Sequence, residues 1–145
     1  MTSWGLAALV GAVTFAGALV PQQSQQPPLP SPPFPVGNVE HGRYIVEDVV
    51  HCVECHSTRD AQGNILPAMR FLGGPIPFRP PWPNDWATEA PRNKGLPGYT
   101  DQLAFRLFTQ GSIGRHGTVL RPPMPNFRMS QQDAADVIAY MRSMR

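Results

Sequence analysis

The sequence has little charge, little lysine and little cysteine. Only 15% of its 145 residues are charged, the formal net charge is +2, and Lys94 is the single lysine. There is no run of Lys and Arg and no nucleic-acid-binding motif, which argues against a nucleic-acid-binding protein. The two cysteines, Cys52 and Cys55, lie three residues apart in one motif. A framework of structural disulfides is therefore excluded.

Charged residues are also missing near the start of the chain. Residues 4–20 are uncharged and mostly apolar, and as a helix they would span roughly 26 Å, slightly less than the ~30 Å hydrocarbon core of a membrane. Residues 1–20 are therefore predicted to be an N-terminal membrane anchor. The alternative is a cleaved secretory signal, which the small residues Ala16-Gly17-Ala18 favour. Either one exports the rest of the chain.

The remainder divides into a linker and one domain. Residues 21–37 are rich in proline and glutamine and are predicted to be an extended, polyproline-like linker. Residues 38–145 are long enough for a single globular domain. Within it, residues 57–97 have little periodicity and many prolines. A loop region of that length requires something to organise it.

Helical patterns occupy both ends of this domain. The first helix is predicted over residues 38–51 with Asn38 as its cap, the second over 101–110 with Thr100 as its cap, and the last from Ser130 to about Met144. Five residues of the first helix are expected to share its inward face: Val39, Gly42, Val46, Val49 and Val50. The last has a buried stripe of Ala134, Val137, Ile138 and Met141. The predicted fold class is mainly α, with a few short helices and long proline-rich loops.

The motif Cys52-Val53-Glu54-Cys55-His56 carries the chemistry. This CxxCH spacing is the attachment signature of a c-type haem. On a helical turn the two thiols share one face, where each can add to a vinyl group of the porphyrin, and the histidine that follows can ligate the iron.

Two other types of site use closely spaced cysteines. A thioredoxin-like CxxC needs a βαβ context, whereas here a helix precedes the motif and a proline-rich run follows it. A zinc site needs four ligands, and without a second cysteine pair it would have to recruit His41, His51 or His116. Both alternatives are weaker than haem attachment.

The sequence resembles the class I cytochrome c family, and within it the small membrane-linked monohaem cytochromes and cytochrome c subunits of periplasmic dehydrogenases. Besides the CxxCH motif, the resemblance rests on Gly42-Arg43-Tyr44, Gly98-Tyr99-Thr100-Asp101, Arg121-Pro122-Pro123-Met124-Pro125 and Ile138-Ala139-Tyr140-Met141. It implies a cytochrome c-like fold around one covalent haem c. It also implies that the first and last helices cross, with Gly42 close to Tyr140.

Met124 is the predicted second axial ligand of the iron. It lies in a loop between Pro123 and Pro125, which restrict the backbone and lower the cost of presenting the thioether, and the family places its methionine there. His116 is the alternative, and bis-histidine ligation would lower the potential. The other methionines are expected to pack or to lie outside the site. Four further residues are candidates for lining the pocket or binding the haem propionates: Trp82, Trp86, Tyr99 and Arg92.

With both axial positions filled, the predicted function is one-electron transfer rather than catalysis. The protein would be an electron carrier, or the electron-transfer subunit of an oxidoreductase complex. Its expected partners are redox proteins: a dehydrogenase or respiratory complex as donor, and another cytochrome or a terminal oxidase as acceptor. It would lie on the periplasmic side of a bacterial inner membrane, or be soluble in the periplasm after signal cleavage. The alternative function is gas sensing or peroxide chemistry at a labile distal site near Arg115 and His116.

Overall fold

A computed structural model describes residues 28–144 of the chain. It confirms a mainly helical fold with few helices and long loops. The predicted anchor or signal at residues 1–20, and residues 21–27 of the predicted linker, lie outside the described residues. Within the described part, no helix combines the length and the apolar character that crossing a membrane requires.

The first helix begins as predicted and then changes type. Helix α1 is Val39–Tyr44, and the Asn38 side chain accepts hydrogen bonds from the N–H groups of Glu40 and His41. A π-helical turn, Ile45–Val49, continues it, closed by a bond from the Val50 N–H to the Ile45 carbonyl at 2.8 Å. The wider turn rotates the later residues away from α-helical spacing.

This change of register corrects part of the predicted inner face. Ile45 and Val46 are buried in the core, whereas Val39 is 46% exposed and Val49 is 53% exposed. The prediction that Val39 and Val49 face inward was therefore wrong. Val39 lies in the first turn, and the π turn carries Val49 outward.

The middle of the domain consists of long connections with short regular pieces. Helix α2 is Cys52–Cys55, and a 3₁₀ turn follows at Pro67–Met69. Strand β1, Gly74–Pro75, pairs antiparallel with strand β2, Glu89–Ala90. The proline-rich segment between these strands forms a wide loop.

The two later helices lie where their caps predict. Helix α3 is Asp101–Gln110, and the Thr100 side chain accepts a bond from the Leu103 N–H. Helix α4 is Gln131–Ser143, and the Ser130 side chain accepts one from the Asp133 N–H. The predicted stripe on α4 is confirmed, since Ala134, Val137, Ile138 and Met141 are all buried.

Helices α1 and α4 cross at Gly42, as the resemblance implies. A Cβ atom on Gly42 would lie 1.9 Å from the Asp136 carbonyl oxygen and 2.9 Å from the Tyr140 Cβ. The absence of a side chain thus lets the two backbones touch, and the predicted proximity of Gly42 and Tyr140 is confirmed.

Replacing Gly42 by alanine should lower the free energy of unfolding by about 2–4 kcal/mol, because the added methyl meets helix backbone that cannot move aside. Denaturant unfolding of the haem-loaded protein measures this loss. Gly63→Ala is the matched control, since a Cβ there meets nothing within 4 Å and only its φ of +87° opposes the substitution, at a cost of ~1 kcal/mol. Equal losses for the two variants would contradict the close crossing.

A buried carboxylate fixes the start of α1 against α4. Asp136 accepts hydrogen bonds from the Asn38 N–H at 2.7 Å and the Gln132 amide at 2.8 Å, and its other oxygen lies 2.7 Å from His41 Nδ1. Burial raises the pKa of Asp136, but these hydrogen bonds outweigh it and hold the pKa below its ordinary value. Asp136 is therefore ionised at neutral pH and joins the two helices.

The described end of the predicted linker packs on the domain instead of extending away from it. The Phe34 ring stacks on Phe105 of α3 with centroids 4.0 Å apart. Gln110 donates to the Pro28 carbonyl at 3.3 Å, and Gln132 donates to the Val36 carbonyl at 3.0 Å. Residues 28–37 thus contact both α3 and α4.

Candidate functional site

A cavity of about 720 Å³ lies between the helices and the proline-rich loops. Its lining is mostly apolar and comes from the end of the first helix, α2, the loops around β2, α3, α4 and residues 114–127. This volume falls within the ~300–1,000 Å³ that is typical of ligand and cofactor pockets. Cys52, Cys55, His56 and Met124 all line it.

Helix α2 presents the CxxCH motif to the cavity. The chain enters it through His51, which has a left-handed φ of 55°, a conformation that histidine adopts more readily than most residues. Burial raises the pKa of Cys52 to about 12. Burial also raises the pKa of Cys55, and the Glu54 carboxylate adds to this. Both thiols are therefore held in the protonated form at neutral pH.

The His56 side chain has a fixed orientation. Its Nδ1 lies 2.7 Å from the Pro91 carbonyl oxygen, and because a carbonyl can only accept, Nδ1 carries the proton and Nε2 keeps its lone pair. Pro91 directly follows β2, whose pairing with β1 positions this carbonyl. Burial lowers the pKa of His56, and the bond to Pro91 opposes this only in part. The imidazole is thus held neutral, which is the form that binds a metal.

Met124 reaches the same cavity from the methionine loop, residues 121–126. The Met124 N–H donates to the Arg121 carbonyl at 3.3 Å, and the Ala87 N–H donates to the Pro122 carbonyl at 2.7 Å. Met141 also lines the cavity, from α4, whereas Met69 and Met129 are not among the lining residues. The structure therefore leaves two methionines in a position to approach a group bound there.

The other predicted pocket residues fall into two groups. Tyr99, Arg92, Arg115 and His116 line the cavity. Trp82 is instead 64% exposed, and Trp86 packs edge-on against Phe78 with ring centroids 5.8 Å apart. Of the three histidines considered for zinc, His41 lies at Asp136 rather than at the cysteines.

Several lining residues were not predicted from the sequence. They are apolar side chains from loops: Ile76, Phe78, Ala87, Leu120 and Phe127. Loop residues have no periodicity that would mark their inward side, so no local signal could have identified them.

The rim of the cavity has an excess of positive charge. Arg92, Arg115 and Arg121 are exposed lining residues, and none of them forms an ion pair within the described chain. Of the acidic lining residues, Glu54 is paired with Arg59 and Glu89 has no ion-pair partner among residues 28–144. Arg115 donates hydrogen bonds to His116 Nε2 at 3.0 Å and to the Pro97 carbonyl at 3.3 Å, but no carboxylate of the described chain neutralises the three guanidinium charges.

These residues fit a covalently bound haem. The cavity is apolar, both cysteines and a correctly protonated histidine line it, and no ligating side chain needs to move out of a salt bridge. Comparison with known proteins identifies the family: the cytochrome c model matches residues 39–145. No curated protein matches the sequence. Because the match spans well over half of the sequence, the chain belongs to the cytochrome c family, whose cofactor is covalently bound haem c.

Proposed function

We propose that this protein is a one-electron carrier in which Cys52 and Cys55 bind haem c, and His56 and Met124 are the axial ligands of its iron. The observation that carries the proposal is that all four side chains line one apolar cavity. Haem supplies the Fe(III)/Fe(II) couple when it is bound. Cytochrome c domains typically serve as electron carriers, and the family match supports haem-based electron transfer in general.

The protein side chains set the properties of that couple. The Pro91 carbonyl orients the His56 ring and increases the basicity of its Nε2. A thioether ligand from Met124 would favour the reduced state and raise the potential. The apolar lining excludes water, which strengthens electrostatic effects on the iron.

We propose that the partners are redox proteins with an acidic docking surface. The three rim arginines, which form no ion pair within residues 28–144, supply the complementary charge, and the exposed apolar side chain of Val119, which lines the same cavity, supplies contact area. Such charge complementarity raises the rate of encounter more than the affinity. The donor would be a membrane or periplasmic oxidoreductase and the acceptor a downstream cytochrome or oxidase.

A cytochrome c domain indicates an extracytoplasmic or periplasmic haem protein. Attachment to the membrane through residues 1–20 belongs to the proposal. It rests on the uncharged composition of residues 4–20.

A second candidate function is ligand chemistry at a labile distal site, because Arg115 and His116 line the cavity. Redox titration and carbon monoxide binding of the haem-loaded protein separate the two. An electron carrier should exchange one electron reversibly per protein, and its ferrous form should bind carbon monoxide only weakly, because the gas must displace an axial ligand. Ready binding of carbon monoxide by the ferrous protein would support the second function and contradict the first.

A further inference from the structure

Ser112 joins three segments next to the cavity. Its N–H donates to Asn126 Oδ1 at 2.9 Å, and its hydroxyl donates to the Pro125 carbonyl at 2.5 Å. Its carbonyl accepts from the Leu120 N–H at 2.7 Å. Ser112 is only 6% exposed, so each of these bonds replaces one to water that burial has removed.

Ser112 does not itself line the cavity. It directly follows Gly111, which ends α3 with a φ of 102°. A Cβ on Gly111 would lie 2.2 Å from Asn126 Oδ1. The glycine therefore allows the Asn126 side chain to reach the Ser112 N–H.

The two residues that Ser112 holds, Pro125 and Asn126, come directly after Met124. On the other side of Met124, the Ala87 N–H holds the Pro122 carbonyl. The methionine loop is thus held on both sides of its sulfur-bearing residue by segments that are distant in sequence. These segments are the end of α3 and the residues just before β2.

We infer that Ser112 is a positioning residue for the distal ligand. Its hydroxyl and N–H hold the methionine loop so that the Met124 sulfur stays directed into the cavity. The inference rests on the proposed function, because it requires Met124 to be the ligand. Without these bonds the loop gains conformations in which the Met124 sulfur is withdrawn from the cavity. The sulfur then occupies the distal position in a smaller fraction of the protein, so an incoming ligand meets less competition there.

The test is carbon monoxide binding to the ferrous, haem-loaded full-length protein. Ser112→Ala removes the bond to Pro125 and should raise the apparent affinity for carbon monoxide about five- to tenfold, as expected for one buried hydrogen bond. It should also weaken the charge-transfer absorption of thioether-ligated ferric haem. Ser130→Ala is the matched control: it removes the cap of α4 and should lower thermal stability without changing carbon monoxide affinity.

Asn126→Ala provides a second variant, because Asn126 is exposed and its loss leaves the core intact. Like Ser112→Ala, this variant should raise the affinity for carbon monoxide. If Ser112→Ala and Asn126→Ala both bind carbon monoxide as the parent does, while Met124→Leu binds it far more tightly, Ser112 has no positioning role. If Met124→Leu also behaves as the parent, the ligand assignment itself is wrong. Failure of Ser112→Ala to fold leaves Asn126→Ala to decide.

Discussion

Replacing Cys52 and Cys55 together by serine should yield a chain with no covalent haem and without a stable fold. The two cysteines are the only ones in the sequence, so the thioether bonds have no other source. We expect this to be the largest effect of any substitution in the protein, because it removes the cofactor that the central cavity accommodates.

The size of the cavity indicates how much stability the chain loses when haem is not attached. Large-to-small substitutions in protein cores cost about 24 cal/mol for each Å³ of unfilled space. The central cavity, about 720 Å³, is far larger than such voids, so without haem its apolar lining must either admit water or collapse. Either outcome removes a large part of the roughly 5–15 kcal/mol that stabilises a whole domain.

The measurements are haem staining of a denaturing gel and far-ultraviolet circular dichroism. Single Cys→Ser variants keep one attachment site and should retain part of the covalent haem. His51→Asn is the matched control, since His51 adjoins Cys52, is exposed and has a left-handed φ of 55° that asparagine also tolerates. A double variant that still carries haem through denaturation would contradict the attachment at these cysteines.

Features decided by neighbouring residues could be predicted from the sequence. The bounds of α3 and the caps of α1, α3 and α4 follow from single side chains that accept backbone hydrogen bonds close in sequence. The CxxCH motif is contiguous, so its three residues reach the same cavity in any fold that keeps its helical turn. The crossing of α1 and α4 at Gly42 was predicted from the family resemblance and not from the periodicity of the sequence.

Features decided by tertiary contacts could not be predicted. The π turn at Ile45–Val49 changes the register of the first helix without a proline or glycine to mark it. Phe34 lies in a segment whose composition indicates a free linker, yet its ring stacks on Phe105. Ser112 finds its partners 13 and 14 residues away in a loop. Such contacts depend on how loops fold around the cavity, which no local pattern encodes.

Met124→Leu should convert the protein to one without thioether ligation. Leucine has a similar volume and is usually tolerated in place of methionine, so the loss of sulfur can be observed in a folded protein. The charge-transfer band of the ferric form should disappear, and the ferrous form should bind carbon monoxide readily. The reduction potential should fall by roughly 0.1–0.3 V, a part of the ~0.8 V that axial ligands span.

Met141→Leu is the decisive control, because Met141 is the other methionine among the residues that line the cavity. It lies on the buried stripe of α4 and is 2% exposed, whereas Met124 lies in a loop that neighbouring segments hold on both sides. A side chain packed between helices has little freedom to approach the iron. We therefore expect Met141→Leu to keep the absorption band and the potential. The reverse result, with the band lost in Met141→Leu and kept in Met124→Leu, would move the distal ligand to α4 and remove the basis for a positioning role of Ser112.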